Sequence, residues 1–343
     1  MTDPSTHNAT WSDNTLRDDT LHCDTSRADA NAALQSALNA VESERQRLAK
    51  EATNATIIWG LAVAALGLII VIGFFGQFAQ AFLFPILAGL IAASIAYNSK
   101  AQEYRGTYKL LIVDRVVQIV GSELRYSPRS HVSEREYDAS QLFRSADRFN
   151  GEDLVQGRMG ATQLQFSEIH AEYQTRNSKG QSQWHTIFRG VLFIADFNKS
   201  FQGVTIVKPD TAQRLLGRFG QSMQEFGEKL NFNQRDLVKL EDPEFEKMFV
   251  VSSTDQIEAR YILSPSMMRR LLDLRARHGN ELHISFILNR IYLALPQNSD
   301  LFEPPSLRTP LTVDAVRRII ADLQSVLCIV EDLDLNTRIW SKN

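Results

Sequence analysis

Between Glu51 and Lys100 the chain has no aspartate, glutamate, lysine or arginine, and no other feature of the sequence says as much. A bilayer core of about 30 Å takes about 20 apolar residues per helix. The uncharged stretch divides into residues 57–75 and 82–97, with Gly76-Gln77-Phe78-Ala79-Gln80 between them, whose polar groups cost least at a membrane edge. The sequence therefore predicts a transmembrane helical hairpin. Cysteine is nearly absent: Cys23 and Cys328 are the two in the chain, which excludes a disulfide framework and fits a reducing compartment. Also missing are a P-loop, a dinucleotide-binding glycine fingerprint and a nucleophile elbow, so no phosphate cradle or activated serine can be argued from spacing.

Neither sign of charge dominates. The chain carries 37 Lys and Arg against 40 Asp and Glu, and from Lys100 onward it is nearly neutral. That excludes the concentrated basic face that nucleic-acid binding requires. Positive charge flanks both ends of the uncharged stretch, with Arg45, Arg47 and Lys50 before it and Lys100, Arg105, Lys109 and Arg115 after it. The positive-inside rule then puts both termini of a multi-pass membrane protein in the cytoplasm. Some fifty polar residues precede the apolar run, so no cleaved signal peptide is expected.

Composition divides the rest. Residues 1–27 are a polar, disordered tail with too few apolar side chains to offset ordering. Residues 28–55 form a juxtamembrane amphipathic helix with Leu34, Leu38, Val41 and Leu48 on one face, suited to packing on the soluble domain or to weak self-association. Residues 56–99 are the hairpin. Residues 100–343 are a cytoplasmic α+β domain of mixed or antiparallel strands with packed helices, whose first helix, residues 104–120, ends at Gly121. Strands are predicted over 162–175, 186–197, 204–208, 237–240, 249–251, 259–263, 281–288 and 291–296, with Asn150-Gly151 as a turn leading into them. Residues 186–197 are apolar on both faces, as a central strand is. Helices are predicted over 210–228, from Ser264-Pro265 to Gly279 with Met268, Leu271 and Leu272 inward, and after Thr312 with Val313, Val316, Ile320, Leu323, Leu327 and Val330 inward.

Two concentrations of ionisable groups stand out. Glu168, His170 and Glu172 alternate along a predicted strand and share one face, a spacing that suits metal ligands. The preferred explanation is a solvated face, because Ile169, Ala171 and Tyr173 point the other way and no second cluster completes a shell. Asp242, Glu244 and Glu246 crowd a helix start at Pro243, where carboxylates complement the dipole. They are also the candidate interaction residues. No catalytic residue and no cofactor is predicted.

The segments Leu240-Glu-Asp-Pro-Glu-Phe-Glu-Lys-Met-Phe-Val250, Asp255-Gln-Ile-Glu-Ala-Arg-Tyr-Ile-Leu263 and Pro265-Ser-Met-Met268, with Gly151-Glu-Asp153, Gly157, Phe166-Ser-Glu168 and Phe188-Arg-Gly190 upstream, resemble a bacterial membrane-protein family of the domain of unknown function 3137 type. The resemblance implies a bacterial inner-membrane location, paired membrane helices before a cytoplasmic domain, and no established activity or cofactor. It also implies a LemA-type membrane protein as a possible partner. The function expected is a membrane-anchored cytoplasmic interaction or sensory module, non-enzymatic, contacting lipid through the hairpin, with a homo-oligomer as one form open to it. The alternative is a membrane-tethered, metal-dependent or lipid-directed enzyme.

Overall fold

A computed structural model describes residues 27–73, 83–177, 180–197, 199–210, 235–297 and 300–336. The expected tail, the Gly76–Gln80 connection and the predicted helix over 210–228 lie outside these residues, apart from Arg27 and Asp210. The chain divides into two compact units, residues 1–120 with 302–320, and residues 121–301 with 321–343.

The first unit is helical. Helix α1, Arg27–Gly73, lies antiparallel to α2, Leu83–Tyr108. Lys100 Nζ meets Glu51 at 2.7 Å at one level, and the Cα of Gly89 comes so close to Val63 at another that a methyl group on it would overlap the valine. On α1 the buried residues Leu38, Val41, Arg45, Leu48 and Ala52 recur at steps of three and four, and on α2 Tyr104 and Tyr108 continue into a π-turn, Lys109–Val113, and α3, Asp114–Val120. Arg45 is buried yet satisfied: it forks onto Glu42 at 2.8 and 2.7 Å and donates to the Leu307 carbonyl at 2.6 Å. Burial pushes the Glu42 carboxyl up, but Arg45 and the Leu311 N–H outweigh it and hold the group below its ordinary value. An ion pair this enclosed has to be completed by hydrogen bonds to offset desolvation, and residues 307–311 supply them.

Two expectations are corrected here. Among the described residues no helix is long and apolar enough to cross a membrane. The first half of α1 and the end of α2 carry ion pairs, among them Lys100 with Glu51 and Glu103. The transmembrane hairpin anchor is therefore overturned, and with it the multi-pass inner-membrane location.

The second unit is built on one antiparallel sheet of nine strands in the order β1-β2-β3-β4-β9-β8-β5-β7-β6. They are β1 Leu124–Ser127, β2 Arg148–Met159, β3 Thr162–Arg176, β4 Ser182–Asp196, β5 Val204–Pro209, β6 Asp236–Val238, β7 Phe249–Ser253, β8 His283–Ile287 and β9 Arg290–Pro296. Strand β4 runs between β3 and β9, and its residues Val191 to Ala195 are buried on both faces, as its unbroken apolar run requires. One face carries a cluster of Leu154, Ile169, Ala171, Leu192, Ile194, Ile206 and Ala294, closed by Tyr137 of α4, Glu134–Ala139, and by Leu142.

The other helices among the described residues are α5 Pro243–Met248, α6 Gln256–Ile262, α7 Pro265–His278 and α8 Val313–Asp332. Helix α7 has Pro265 in its first turn and ends at Gly279 with φ of 100°, a conformation that glycine adopts freely. It buries Met267, Met268, Leu271 and Leu274, with Leu272 only half-buried. On α8, Val316, Leu323, Leu327 and Val330 are buried as expected, and Ala315, Ile319, Val326 and Ile329 join them in place of Val313 and Ile320.

Two local predictions fail for identifiable reasons. Residues 259–263 are the end of α6, not a strand, because the Asp255 side chain accepts from the N–H groups of Ile257 and Glu258 and starts a helix that overrides the β preference of Tyr261 and Ile262. Asn150-Gly151 lies inside β2 instead of a turn. A Cβ on Gly151 would sit 2.4 Å from the Glu168 carbonyl oxygen and 2.7 Å from His131 Cβ, so the glycine serves close packing. Gly190 is under the same constraint: its φ is 149° and a Cβ would lie 2.1 Å from the Leu295 oxygen of β9. Gly190→Ala is expected to cost about 2–4 kcal/mol in urea unfolding, against about 1 kcal/mol for Gly180→Ala, where φ is 75° but the space is open.

Candidate functional site

The densest grouping of ionisable side chains follows from a break in the β2–β3 ladder. Glu152 pairs with Glu168 and Val155 with Phe166, so the register slips between them, and Asp153 takes a left-handed backbone with φ of 62°. The chain after β1 backs this bulge. The Asp153 N–H donates to the Pro128 carbonyl, Leu154 N–H to the Ser130 carbonyl, and Val132 N–H to the Ser167 hydroxyl. Asp153 is buried and accepts a hydrogen bond from the Tyr126 hydroxyl. The carboxylates of Glu152, Asp153 and Glu168 thereby come within 4.8 Å of one another.

Beside them opens a cleft of about 370 Å³ whose lining includes Asn150, Glu168, His170, Arg189 and Asp300. Register explains the assembly, since Asn150 pairs with His170 and His170 with Arg189 across three strands. Glu168 accepts from the Leu301 N–H, and Arg189 pairs with Asp300 at 2.8 Å. That ion pair holds the Arg189 guanidinium above its ordinary pKa.

The three candidate metal ligands share one face of β3, opposite Glu152, Asn150 and Arg148 of β2, but take different partners. Glu168 joins Glu152 and Asp153. His170 Nε2 lies 3.2 Å from the Thr186 hydroxyl and 3.9 Å from Glu172, while Glu172 takes Arg148 at 3.1 Å. The acidic run at α5 is spread over local tasks: Asp242 accepts from the N–H groups of Glu244 and Phe245, Glu246 from Leu240 N–H, and Glu244 meets Arg269 at 3.3 Å on the surface.

A second grouping is basic, and no sequence motif announced it. Lys208, at the end of β5, and His283, at the start of β8, lie one step beyond the registered pair Val207–Ile284 and so stand side by side on one face. Arg235, just before β6, donates from Nη2 to Gln141 Oε1 at 2.9 Å, and the Phe143 ring packs on His283 with centroids 5.1 Å apart. Burial, reinforced by Arg235, brings Lys208 down to about 8, and burial, reinforced by Lys208, brings His283 down to about 4.

Residues 186–335 match the family described as Protein of unknown function (DUF3137). The match covers 150 of the 343 residues. The matched segment begins in β4 and ends just past α8, so Arg189, Asp300, Lys208, Arg235 and His283 fall inside it and Glu152, Asp153 and Glu168 outside. No curated protein matches the chain. A crystal structure of the mycobacterial trehalose monomycolate transport factor A, TtfA, aligns with 64% of this chain and 93% of its own at 11% identity and a TM-score of 0.33, too slight a likeness to support an argument.

Two outcomes test these sites. Tyr126→Phe leaves Asp153 buried without its hydroxyl donor and is expected to cost about 1–3 kcal/mol in denaturant unfolding. His283 is the more readily protonated in the unfolded chain, because its folded pKa of about 4 lies below the ordinary 6.5. Its contribution is intact above pH 6.5 and is lost as pH falls towards 4, by up to about 3 kcal/mol. Unfolding of His283→Gln at pH 7 and at pH 4.5 should show a smaller acid loss than the parent.

Proposed function

We propose that the chain is a non-enzymatic interaction module that assembles with a second copy of itself through the α1–α2 pair. The observation behind this is apolar exposure: Ile58, Leu61, Leu90 and Ile95 are 64–65% exposed, with Ile57, Trp59, Leu87 and Ile91 beside them, and ion pairs of Arg47, Glu51, Lys100 and Glu103 rim the patch. Large apolar patches bounded by polar groups mark surfaces that other molecules cover. Residues 87, 91 and 95 on α2, and 57, 58 and 61 on α1, recur at helical spacing, so two such pairs meeting about a two-fold axis give a four-helix bundle. Two points favour binding over catalysis. Asp153 and Glu168 already accept hydrogen bonds from the chain, and Arg189 is paired.

Sedimentation equilibrium of the full chain is expected to give a dimer, and Leu61→Asn with Leu90→Asn to weaken it at least tenfold with the circular dichroism unchanged. A monomer at every concentration, or a variant as tightly dimeric as the parent, would sink the proposal. A photo-crosslinking residue at Ile58 supplies an independent readout: adducts with a second copy support the reading, and adducts only with lipid or another protein overturn it.

A further inference from the structure

Strand β4 is longer than the strand that covers its second side. Its pairing with β9 stops at Gly190–Pro296, followed by one bond from the Gln297 N–H to the Arg189 carbonyl. The chain then turns onto the sheet face, where Asp300 meets Arg189 and the Leu301 N–H donates to Glu168. Strand β3 holds the other side of β4 throughout, from Arg176–Ser182 to Ala171–Phe188, with Ile187 bulged out of the register. Among the described residues no strand pairs with the β9-facing edge of Ser182 to Thr186. These five residues match the length of the β5–β7 and β8–β9 ladders. Open edges are ordinarily blunted by lysines, prolines or a covering segment. Ser182-Gln183-Trp184-His185-Thr186 has no proline, lysine, arginine or carboxylate, and all but His185 are exposed.

We propose that this edge takes an extended acidic segment of a partner protein as a tenth strand of the sheet. Main-chain bonds to an open edge supply affinity in such additions, and alternate side chains supply specificity. Charge selects the partner. From Tyr173 to Phe188 the sequence contains no aspartate or glutamate, and neither Arg176 nor the neighbouring Arg144 forms an ion pair among the described residues. Arg176 stands opposite Ser182 on β3. The serine is small, so a glutamate placed opposite it on an added strand lies two strand spacings from Arg176, about 10 Å between backbones, a gap that the two long side chains bridge over it. Arg144 lies over the Tyr173 ring at 4.5 Å, and that ring stacks on His185 at 5.1 Å, so a second carboxylate belongs opposite His185.

The remaining side chains complete the pattern. Trp184 is 39% exposed, with the Arg148 guanidinium stacked on its ring at 3.8 Å, and shares a face with Ser182. It offers a flat apolar platform to a β-branched residue placed opposite. A lipid surface suits this edge less well, because apart from Trp184 the exposed residues of the hairpin, Gln174, Thr175, Asn177, Gln181, Ser182 and Gln183, are polar and give a bilayer nothing apolar to take in.

The probe that follows is acetyl-Thr-Glu-Val-Thr-Glu-amide, which in antiparallel register sets its glutamates opposite His185 and Ser182 and its valine opposite Trp184. Titrated into the full chain, it is expected to give saturable heat in calorimetry and to slow amide hydrogen exchange within Ser182 to Thr186. Binding is expected to weaken at least tenfold in Arg176→Glu, and likewise for the peptide with lysine in place of both glutamates. Two further peptides, N-methylated at alternate amides in the two possible phases, separate strand addition from charge attraction: the phase that blocks the amides facing β4 must lose binding while the other keeps it. No saturable heat, equal binding by both N-methylated peptides, an Arg176→Glu that binds like the parent, or protection confined to other segments would overturn the proposal. So would a chain that ignores the peptide but binds vesicles containing phosphatidylglycerol through Trp184, since the edge would then serve a lipid surface.

Discussion

The second unit depends on one ladder. Strands β3 and β4 pair from Leu164–Ala195 to Arg176–Ser182, so two strands of 15 residues each fix one another's register before anything packs on them. With the side-chain period at two, a slip of one residue would expose Ile169 and Ala171 and bury His170. Strand β2 attaches to the outer edge of this ladder and β9 to the inner edge. Both do so at glycines, Gly151 and Gly190, where a side chain would collide with the neighbouring backbone. The cleft is what remains where those two attachments meet the ladder, so its position comes from backbone approach and its lining from whichever side chains the register brings to that face.

Much of this was legible in advance because alternation survives folding when one face is buried. The predicted strands at 162–175, 186–197, 204–208 and 291–296 agree with β3, β4, β5 and β9 to within a few residues, and Ser264-Pro265 with Gly279 bounded α7. Three failures share one physical cause, local preference outvoted by context. Asn150-Gly151 has the composition of a turn but packs as a strand. Residues 259–263 have β-branched and aromatic content but follow an aspartate cap. The uncharged stretch is conspicuous as a run of letters, yet no described helix is long and apolar enough to span a bilayer.

The candidate sites were less legible because their residues meet across the sheet and not along the chain. Alternation placed Glu168, His170 and Glu172 on one face of β3, where the regular pairing with β2 keeps them, but their partners come from other parts of the chain. Glu168 instead keeps company with Glu152 and Asp153 on the neighbouring strand. Lys208, Arg235 and His283 look like isolated residues in sequence, and only the β5–β8 register makes two of them neighbours. The ion pairs divide along the same line. Arg45 is enclosed and hydrogen-bonded by Glu42 and Leu307, so removing either partner strands a charge, whereas Arg269 and Glu244 lie in solvent and contribute little.

The β4–β9 pairing also sets the order in which the sheet forms. Its partners are on the order of a hundred residues apart in sequence, with β5 to β8 threaded between them, and contacts of that separation form late because their loop entropy is met first. The β3–β4 pair closes across a short turn and forms early. In the interval the inner edge of β4, apolar on both faces from Val191 to Ala195, is an open strand edge that any extended chain can join. The segment that relieves this exposure, β8 with β9, is a two-residue hairpin pinned at Asn289, whose side chain accepts from Phe201 N–H while its carbonyl accepts from Phe197 N–H just past β4. The turn that folds β9 back thus carries its own latch to the end of the strand it must cover.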